Sequence, residues 1–349
     1  GLFKQHDKSK FELFAFSFGP EKNDEMSKKI PNYFNNFVKV NFKTDKEIAE
    51  ISRNLKIDIA IDLLCFTTNN RMGIFSEKCA PIQINYLGYP GTSGANFIDY
   101  IIADKILIPK ESQKYYSEKI IYLPNTYQVR DSSLEISNKT FTREELDLPK
   151  NAFIFCCFNQ NYKIIPNIFD IWMKLLKHVD GSILWLLEDN SIAVKNLRKE
   201  AKKRKIDPER IVFAKHMPIA DHLARHECAD LFIDTFPYGA HTTCSDALWA
   251  GLPIVTLIGK SFASRVAGSL LNAINLEELI TTTEKEYEKL IMELANNSYR
   301  LKKIRNKLHK NRFTKPLFDT KLYTKNIELA FTKIYEKHLN KLPAENIEI

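Results

Sequence analysis

The chain has 349 residues, a length typical of two domains that each bury a core. Hydrophobic residues make up 44% of it and charged residues 27%, as in ordinary folded proteins. This composition excludes a disordered tail, a collagen and a small disulfide scaffold. The longest unbroken apolar run, residues 152–158, is far shorter than the roughly 18 residues that a membrane-spanning helix needs. No secretory signal sequence opens the chain.

The net charge is +8, and the basic residues are densest over residues 302–312. We interpret this stretch as the solvated face of a helix, although an anionic partner such as nucleic acid would also suit it. The six cysteines form no CxxC pair, and several lie in apolar runs. They predict reduced thiols in a cytoplasmic protein, without a disulfide framework or a zinc site.

Short apolar runs predict buried strands in two successive sets. The first set lies at residues 11–18, 37–42, 58–65, 82–86, 98–103 and 119–123, and the second at 153–158, 183–187, 211–214, 231–234 and 254–257. Amphipathic helical stretches lie at residues 46–55, 71–78, 166–178, 191–205, 220–228, 242–250 and 263–272. From Thr283 onward the pattern is helical only, and it ends in a helix over residues 320–340.

This alternation predicts an α/β fold with two doubly wound, Rossmann-like domains, because strands that are apolar on both faces belong to parallel sheets covered by helices. The polar stretch 125–151 separates the two sets, so we expect domains at residues 1–140 and 141–349. The last helix is expected to pack back across both domains. Ligands of such folds bind beyond the carboxyl ends of the strands, which predicts a site in the cleft between the domains.

The loop that follows the fourth strand of the second set has the features of an anion site. Gly239 makes a turn, His241, Thr242 and Thr243 follow, and a helix begins there with Asp246 one turn in. A helix N-terminus and two hydroxyls suit a phosphate or diphosphate, and His241 could add a charge-assisted bond. The alternative is that Thr242 or Thr243 only caps the helix.

Two further loops are candidates. Lys163 stands in FNQNYK, residues 158–163, after the first strand of the second set. A lysine there can neutralise a leaving phosphate, or it can be an ordinary exposed lysine. In the first set the loop LGYPGTSG, residues 87–94, holds three of the 11 glycines of the chain. Glycine lets a backbone approach a ligand closely, so we interpret this loop as functional. It matches neither GxGxxG nor a P-loop.

A fourth loop, which carries His216 and Met217, follows the third strand of the second set. His222 and Arg225 lie on one face of the helix that follows. Such a loop can hold a base through backbone contacts and stacking. Alternatively, this is an ordinary surface helix.

Other chemistry finds little support in the sequence. His222 and His226 have helical spacing, but the motif HLARH lacks the glutamate of a zinc protease. Asp62 and Asp99 lie in or beside apolar strands, and we interpret them as structural carboxylates rather than as an acid–base pair.

Together these segments resemble the catalytic region of the O-linked N-acetylglucosamine transferases, a group with bacterial relatives and SPINDLY-type O-fucosyltransferases. The residues that carry the likeness are LGYPGTSG with FIDYIIAD, FNQNYKI with FDIWMKLLK and ILWLL, and DTFPYGAHTTCSDALWAGLPIVTL with FASRVA. They occur in the family's order, within a likeness that covers residues 11–335. The resemblance implies a GT-B architecture, in which two Rossmann-like domains face a cleft and the C-terminal helices pack back.

The resemblance also implies inverting, metal-independent transfer of a sugar from a nucleotide sugar to Ser or Thr hydroxyls of a protein acceptor. UDP-N-acetylglucosamine is the donor expected first, and no cofactor, nucleic acid or membrane span is implied. Carried over to this sequence, Lys163 and His241 are the catalytic candidates. The donor-binding candidates are Gln160, Lys163, His241, Thr242 and Thr243 at the diphosphate, Asp246 at the ribose, His216 and Met217 at the base, His222 and Arg225 at two further positions, and Gly88, Tyr89, Pro90, Gly91 and Thr92 on the sugar side.

The sequence departs from the family at its N-terminus. It begins at Gly1, after the family's first strand and the His proposed near the acceptor hydroxyl, and His6 does not match that His. We therefore expect an N-terminally truncated chain whose first sheet has a gap or an exposed edge. Residues 65–67 read Cys-Phe-Thr where the family has Gly, then Tyr or His, and then Thr, although Arg71 is retained. This difference predicts altered contacts to the acceptor or the sugar.

Several interpretations stay open on the sequence alone. The chain could bind a nucleotide sugar without turning it over, because the segment with the family's His is absent. It could use GDP-fucose or UDP-glucose as donor. It could also be another GT-B enzyme, such as a nucleotide-sugar epimerase, against which the pairing of LGYPGTSG with HTT argues.

Overall fold

A computed structural model describes residues 1–20 and 23–349 of the chain. These residues form two units, one made of Gly1–Ser132 together with Asp319–Ile349 and the other of Ser133–Phe318. The chain first passes from one unit to the other between Ser132 and Ser133, inside the polar stretch 125–151. The described residues of that stretch contain only one short helical turn, Glu144–Leu146.

The first unit begins with helices and strands in alternation. They are α1 (Leu2–Gln5), β1 (Phe14–Ser17), α2 (Glu25–Lys29), β2 (Asn36–Lys39), α3 (Asp45–Asn54), β3 (Ile59–Asp62), α4 (Met72–Ser76), β4 (Ile82–Asn85), β5 (Tyr100–Ala103) and β6 (Lys119–Tyr122). Each strand that the apolar runs predict here is confirmed. Helix α3 starts where Thr44 and Glu47 cap one another's backbone N–H groups, which satisfies two donors that a helix leaves open.

The second unit repeats the alternation. It contains β7 (Ile154–Cys157), α5 (Pro166–His178), β8 (Ile183–Leu187), α6 (Ser191–Lys203), β9 (Ile211–Ala214), α7 (Ile219–Ala224), β10 (Leu231–Ile233), α8 (Thr242–Trp249), β11 (Ile254–Leu257), α9 (Val266–Ala273), β12 (Ile280–Thr281), α10 (Glu284–Asn296) and α11 (Ser298–Asn311). The predicted strands and helices are again confirmed. The short strand β12 was not predicted, because a strand of two residues is too short to show a pattern of apolar and polar residues.

The C-terminal residues return to the first unit as α12 (Thr320–Leu339) and β13 (Ile347–Glu348). Tyr323 of α12 donates a hydrogen bond to the carbonyl oxygen of Tyr127 at 2.6 Å and accepts one from the hydroxyl of Tyr86 at 2.5 Å. The sequence assigned residues 319–349 to the second domain. In the structure these residues belong to the first unit instead. The helical pattern shows which face of α12 is apolar, but it does not show on which domain that face packs.

The strands are parallel throughout the described residues. In the second unit their order is β12-β11-β10-β7-β8-β9, and in the first unit it is β13-β6-β5-β4-β3, with β1 and β2 in a separate sheet. Phe16 of β1, Val38 of β2 and Ala60 of β3 nevertheless pack against one apolar cluster, which contains Ile48 and Phe75. The described strands of the first unit thus form two sheets that share one apolar cluster.

Burial on both faces explains why the central strands are continuous apolar runs. All residues of β7 and β8 are buried, and Trp172 of α5 and Trp185 of β8 are among the largest fully buried side chains. Neighbouring parallel strands end at the same edge of a sheet. The order β11-β10-β7 therefore brings the loops after these three strands together.

We expect Tyr323→Phe to lower the free energy of unfolding by about 1–3 kcal/mol, since it removes two buried hydrogen bonds, one to the Tyr86 hydroxyl and one to the Tyr127 carbonyl oxygen. Urea unfolding measures the change. The matched control is Tyr299→Phe, since Tyr299 is 79% exposed, and it should change stability by less than about 0.5 kcal/mol. Equal effects of the two substitutions would contradict the packing of α12 on the first unit.

Candidate functional site

A buried carboxylate, that of Asp234, lies at the carboxyl end of β10 and is fully inaccessible to water. Its Oδ1 accepts hydrogen bonds from the backbone N–H groups of Thr235 at 2.8 Å and Ala240 at 2.7 Å, and from the amide of Asn159 at 3.1 Å. Its Oδ2 accepts one from the Thr256 hydroxyl at 2.7 Å. A single side chain thus joins the ends of β7, β10 and β11.

Burial raises the pKa of Asp234 to about 6, because a carboxylate without water around it loses its hydration. The hydrogen bonds from Thr256, Ala240 and Asn159, and the charge of Lys163, act in the opposite direction and lower the pKa. The carboxylate is therefore charged near neutral pH, and it depends on these donors to stay so.

Asn159 connects the carboxylate to helix α8. Its Nδ2 also donates to the hydroxyl of Thr235 at 2.7 Å, and its Oδ1 accepts a hydrogen bond from the hydroxyl of Thr243. His241 occupies the cap position of α8, and its side chain makes no capping hydrogen bond. The alternative that Thr242 or Thr243 serves as the cap is therefore wrong. The N–H groups of the first turn have no intrahelical acceptor and can receive an anion.

Lys163 reaches the same loop from a short helical turn, Asn161–Lys163, that follows β7. Its Nζ donates to the carbonyl oxygen of Gly239 at 2.9 Å and lies 4.0 Å from the centre of the Tyr238 ring. Burial lowers the pKa of Lys163, whereas the carboxylate of Asp234 raises it. Gln160, the residue before the turn, is exposed. The interpretation of Lys163 as an ordinary exposed lysine is wrong.

His241 is neutral near pH 7, because burial lowers its pKa to about 4. Its Nε2 lies 3.1 Å from the carbonyl oxygen of Ala263, in the loop after β11. A carbonyl oxygen only accepts, so the neutral ring carries its proton on Nε2 and presents Nδ1 as an acceptor. The charge-assisted bond suggested for His241 from the sequence does not fit this arrangement, since that suggestion took no account of burial.

Asp246 lies in the second turn of α8 and is buried. It belongs to the same helix as Thr242 and Thr243, which are exposed and half-buried respectively. The three predicted contacts to a nucleotide therefore share one rigid helix, as the spacing predicts.

The loop after β9 carries His216, which is exposed, and Met217, which is half-buried. Arg225 lies below it, only 1% exposed, and donates to the carbonyl oxygen of Lys215 at 2.6 Å and to Nδ1 of His222 at 2.6 Å. Burial lowers the pKa of His222 to about 3 and that of Arg225 to about 10. The predicted shared face of His222 and Arg225 is confirmed, and Arg225 fixes the backbone of the loop from beneath.

In the first unit, the loop of residues 87–94 is organised by another buried carboxylate. Glu118 accepts hydrogen bonds from the hydroxyl of Thr92 and from the N–H and hydroxyl of Ser93, each at 2.6 Å. A Cβ on Gly88 would lie 1.9 Å from the carbonyl oxygen of Leu63, so only glycine fits there. The amide of Asn85 binds the carbonyl oxygen of Gly91 at 3.1 Å.

Tyr89 and Pro90 are half-buried in this loop. The ring of Tyr89 makes an edge contact with Phe66 at 5.4 Å. Phe66 is one of the residues in which the sequence departs from the family pattern, and it is 56% exposed. An exposed aromatic ring therefore borders the glycine-rich loop.

The structural interpretations of the other polar residues are confirmed. Asp62 accepts from the N–H groups of Leu64 and Cys65, and Asp99 accepts from the N–H of Gln83. All six cysteines are free and buried.

Two residues that the sequence set apart also have structural partners. Nδ1 of His6 lies 2.9 Å from the carboxylate of Glu328. Arg71 donates to Asp45 and to the carbonyl oxygen of Lys43.

The basic residues between positions 302 and 312 divide into exposed lysines and hydrogen-bonded arginines. Lys302, Lys303 and Lys310 are exposed on α11, as the sequence predicts. Arg305 donates to the carbonyl oxygen of Asp230 at 2.9 Å, and Arg312 to that of Trp249 at 2.8 Å. The arginines therefore have structural roles.

Among residues 1–20 and 23–349, no group of three or more His, Cys, Asp and Glu side chains is arranged to hold a metal ion. None of the helices in this described part is long and apolar enough to cross a bilayer.

Sequence reasoning did not identify Asn159, Asp234, Tyr238 and Glu118 as site residues. Asp234 directly follows the buried strand β10, and Asn159 follows β7 after one buried residue, Phe158. A polar residue at the end of an apolar run is the signal that could have found them. Glu118 directly precedes a strand and gives no such signal. Tyr238 stands in a loop whose conformation the sequence does not specify.

Comparisons with known proteins agree with this arrangement. The family described as Glycosyl transferase family 41 matches residues 2–140 and 134–327. A probable UDP-N-acetylglucosamine–peptide N-acetylglucosaminyltransferase of Arabidopsis thaliana, SEC, is 34% identical over 354 residues, which cover 100% of this chain and 36% of that protein. The UDP-N-acetylglucosamine–peptide N-acetylglucosaminyltransferase of Caenorhabditis elegans is 28% identical over 458 residues, covering 98% of this chain and 39% of that protein.

A solved structure is also similar, that of a mutant O-GlcNAc transferase of Thermobaculum terrenum. It has a TM-score of 0.88 and 27% identity, and the match covers 96% of this chain and 64% of that one. The predicted GT-B fold class with two doubly wound α/β units is thereby confirmed. The chain spans less than two fifths of the length of the two curated relatives.

Asn159→Asp would place a second carboxyl group against Asp234 inside the second unit. Two buried carboxylates raise one another's pKa, because their negative charges repel. The folded state then favours the neutral form of the new carboxyl group, so the folded protein loses stability as the pH rises and this group ionises. We expect a loss of about 3 kcal/mol or more in unfolding free energy at pH 8, and a smaller loss at pH 5. Urea unfolding at both pH values measures this.

Asn96→Asp is the matched control for this prediction, because Asn96 is exposed. It should cost less than about 0.5 kcal/mol at either pH. A loss for Asn159→Asp that is the same at pH 5 and pH 8 would contradict the buried pairing.

Proposed function

The chain belongs to glycosyl transferase family 41, and we propose that it is the sugar-transferring region of a protein O-glycosyltransferase. The observation that carries the proposal is the cluster at the carboxyl ends of β7 and β10. There Lys163, the first turn of α8 and the hydroxyl of Thr242 lie around one loop, which Asp234 holds in place. This set of groups suits a diphosphate.

The proposed donor is UDP-N-acetylglucosamine, and the proposed acceptor is a Ser or Thr hydroxyl of a protein. The names of the Arabidopsis and Caenorhabditis relatives support this donor and a peptide acceptor, and the name of the Thermobaculum structure supports an O-linkage. GDP-fucose and UDP-glucose are the competing donors that an experiment must exclude. We propose the cytoplasm as the site of action, which the six buried free thiols support.

In the proposed reaction the acceptor hydroxyl attacks the anomeric carbon of the sugar with inversion and loses its proton to water. The bond from that carbon to the diphosphate oxygen breaks, and its electron pair leaves with the nucleoside diphosphate. Negative charge therefore develops on the diphosphate in the transition state. The Lys163 ammonium and the N–H groups of α8 would stabilise this charge without a metal ion.

His241 has a different part in this proposal. Its neutral ring bonds the loop after β11 through Nε2, so it would position the cap of α8 and offer Nδ1 to a donor group of the ligand. The other candidates keep the roles that the family resemblance implies. Gln160 lies at the diphosphate, Asp246 at the ribose and His216 and Met217 at the base, and His222 and Arg225 occupy two further donor-site positions.

Product analysis tests the type of reaction. Incubation with UDP-N-acetylglucosamine and a protein acceptor in EDTA should give glycosylated Ser or Thr and free UDP. An altered free sugar nucleotide would indicate an epimerase. Binding of the nucleotide sugar without product would indicate a region that binds the donor but does not transfer it.

We expect Lys163→Ala to lower kcat at least about 100-fold, the usual cost of removing one group that stabilises transition-state charge. The melting temperature should stay close to that of the wild type. Lys195→Ala is the control, because Lys195 is exposed on α6, and it should leave kcat unchanged. Retained turnover in Lys163→Ala with unchanged melting would contradict the role given to this lysine.

A further inference from the structure

The aromatic ring of Tyr238 covers one side of the Lys163 ammonium group. Nζ lies 4.0 Å from the ring centre and donates to the carbonyl oxygen of Gly239 at 2.9 Å. An ammonium group has three N–H donors. One is used by the carbonyl and one side of the group faces the ring, so one donor is left for a ligand. The ring and the carbonyl together determine where that donor points.

The ammonium group needs such support because it is partly removed from water. Burial lowers the pKa of Lys163. The groups that act on its charge are the carboxylate of Asp234 and the thiol of Cys157, both of which raise the pKa, and His241, which is neutral near pH 7. The face of an aromatic ring attracts a cation, and more strongly when the pair is shielded from water.

The ring itself is held by the loop that carries it. The carbonyl oxygen of Tyr238 accepts a hydrogen bond from the hydroxyl of Thr235 at 2.7 Å. The ring centre lies 5.2 Å from that of His241 and 6.2 Å from that of Tyr162. Since Thr235 also binds Asp234 and Asn159, the position of the ring is coupled to the buried carboxylate.

We propose that Tyr238 is a positioning residue, which holds Lys163 protonated and aimed at the diphosphate through the face of its ring. The proposal rests on the proposed function, because it concerns the lysine to which charge neutralisation is assigned there. Tyr238 acts through Lys163, and neither its hydroxyl nor any proton transfer by it is required.

The test compares rings of equal shape and different electron density at position 238. Tyr238→Phe keeps the ring face, whereas trifluorophenylalanine at the same position has nearly the same shape and a much weaker attraction for cations. We expect Tyr238→Phe to have a kcat within about twofold of the wild type. The trifluorinated ring should lower kcat about fivefold or more, as expected for loss of a partly shielded cation–π contact. Mono- and difluorinated rings should give values between these.

The pH profile is the readout that a purely structural role would not change. Fluorination removes stabilisation from the charged lysine only, so the basic limb of the kcat profile should move to lower pH as fluorine is added. Tyr299→Phe is the control, because Tyr299 is exposed on α11, and it should leave the profile unchanged. A basic limb that is the same for all the rings would overturn the proposal, and so would a Tyr238→Phe variant as slow as the trifluorinated one.

A second measurement does not depend on turnover and separates this proposal from the proposed function. Lysines labelled at the ε-carbon can be titrated by NMR, and Lys163 is assigned by its absence in Lys163→Ala. Its pKa should fall from Tyr238→Phe to the trifluorinated ring, whether or not sugar is transferred. An equal pKa in the two would overturn the contact, whereas a falling pKa in a protein without transferase activity would overturn the proposed function alone.

Discussion

The second unit is organised around the buried carboxylate of Asp234. A charge that is sealed from water is stable only when nearby donors replace its hydration. Here the donors come from the loop after β7, from the loop after β10 and from β11. Because one carboxylate needs all of them, it fixes three segments that are far apart in the sequence. The conformation of residues 234–241 and the start of α8 follow from this requirement.

The same principle recurs in the first unit. Glu118 is buried and accepts from Thr92 and Ser93 of the glycine-rich loop. In both units, then, a carboxylate within the protein holds a loop that we propose as part of the donor site. The polar groups that face inward are satisfied within the protein, while Lys163 and the first turn of α8 keep donors that face outward. This division would let a rigid loop bind the diphosphate of the proposed donor.

Much of the fold is encoded locally and could be predicted. Continuous apolar runs such as residues 183–187 become buried strands, and the helix over residues 166–178 was predicted with the bounds it has in the structure. The partners of α12 and the hydrogen bonds of Asp234 could not be predicted, since they join residues distant in the sequence. The neutral state of His241 was also missed, because it results from burial, which local pattern does not give. Lys163 and the loop at residues 239–243 could be singled out as site candidates because charge, glycine and hydroxyls cluster at strand ends, and the structure brings the lysine into contact with this loop.

The most direct test of the central claim is a thermal-shift panel with UDP, GDP and their sugars, measured in EDTA. A ligand present at 100 times its dissociation constant stabilises the protein by about 2.7 kcal/mol. The account predicts such a shift for UDP and UDP-N-acetylglucosamine, without a metal ion, and its loss in Lys163→Ala. A shift with GDP and GDP-fucose alone would contradict the proposed donor. No shift with any nucleotide would contradict the assignment of the Asp234 loop as a diphosphate site.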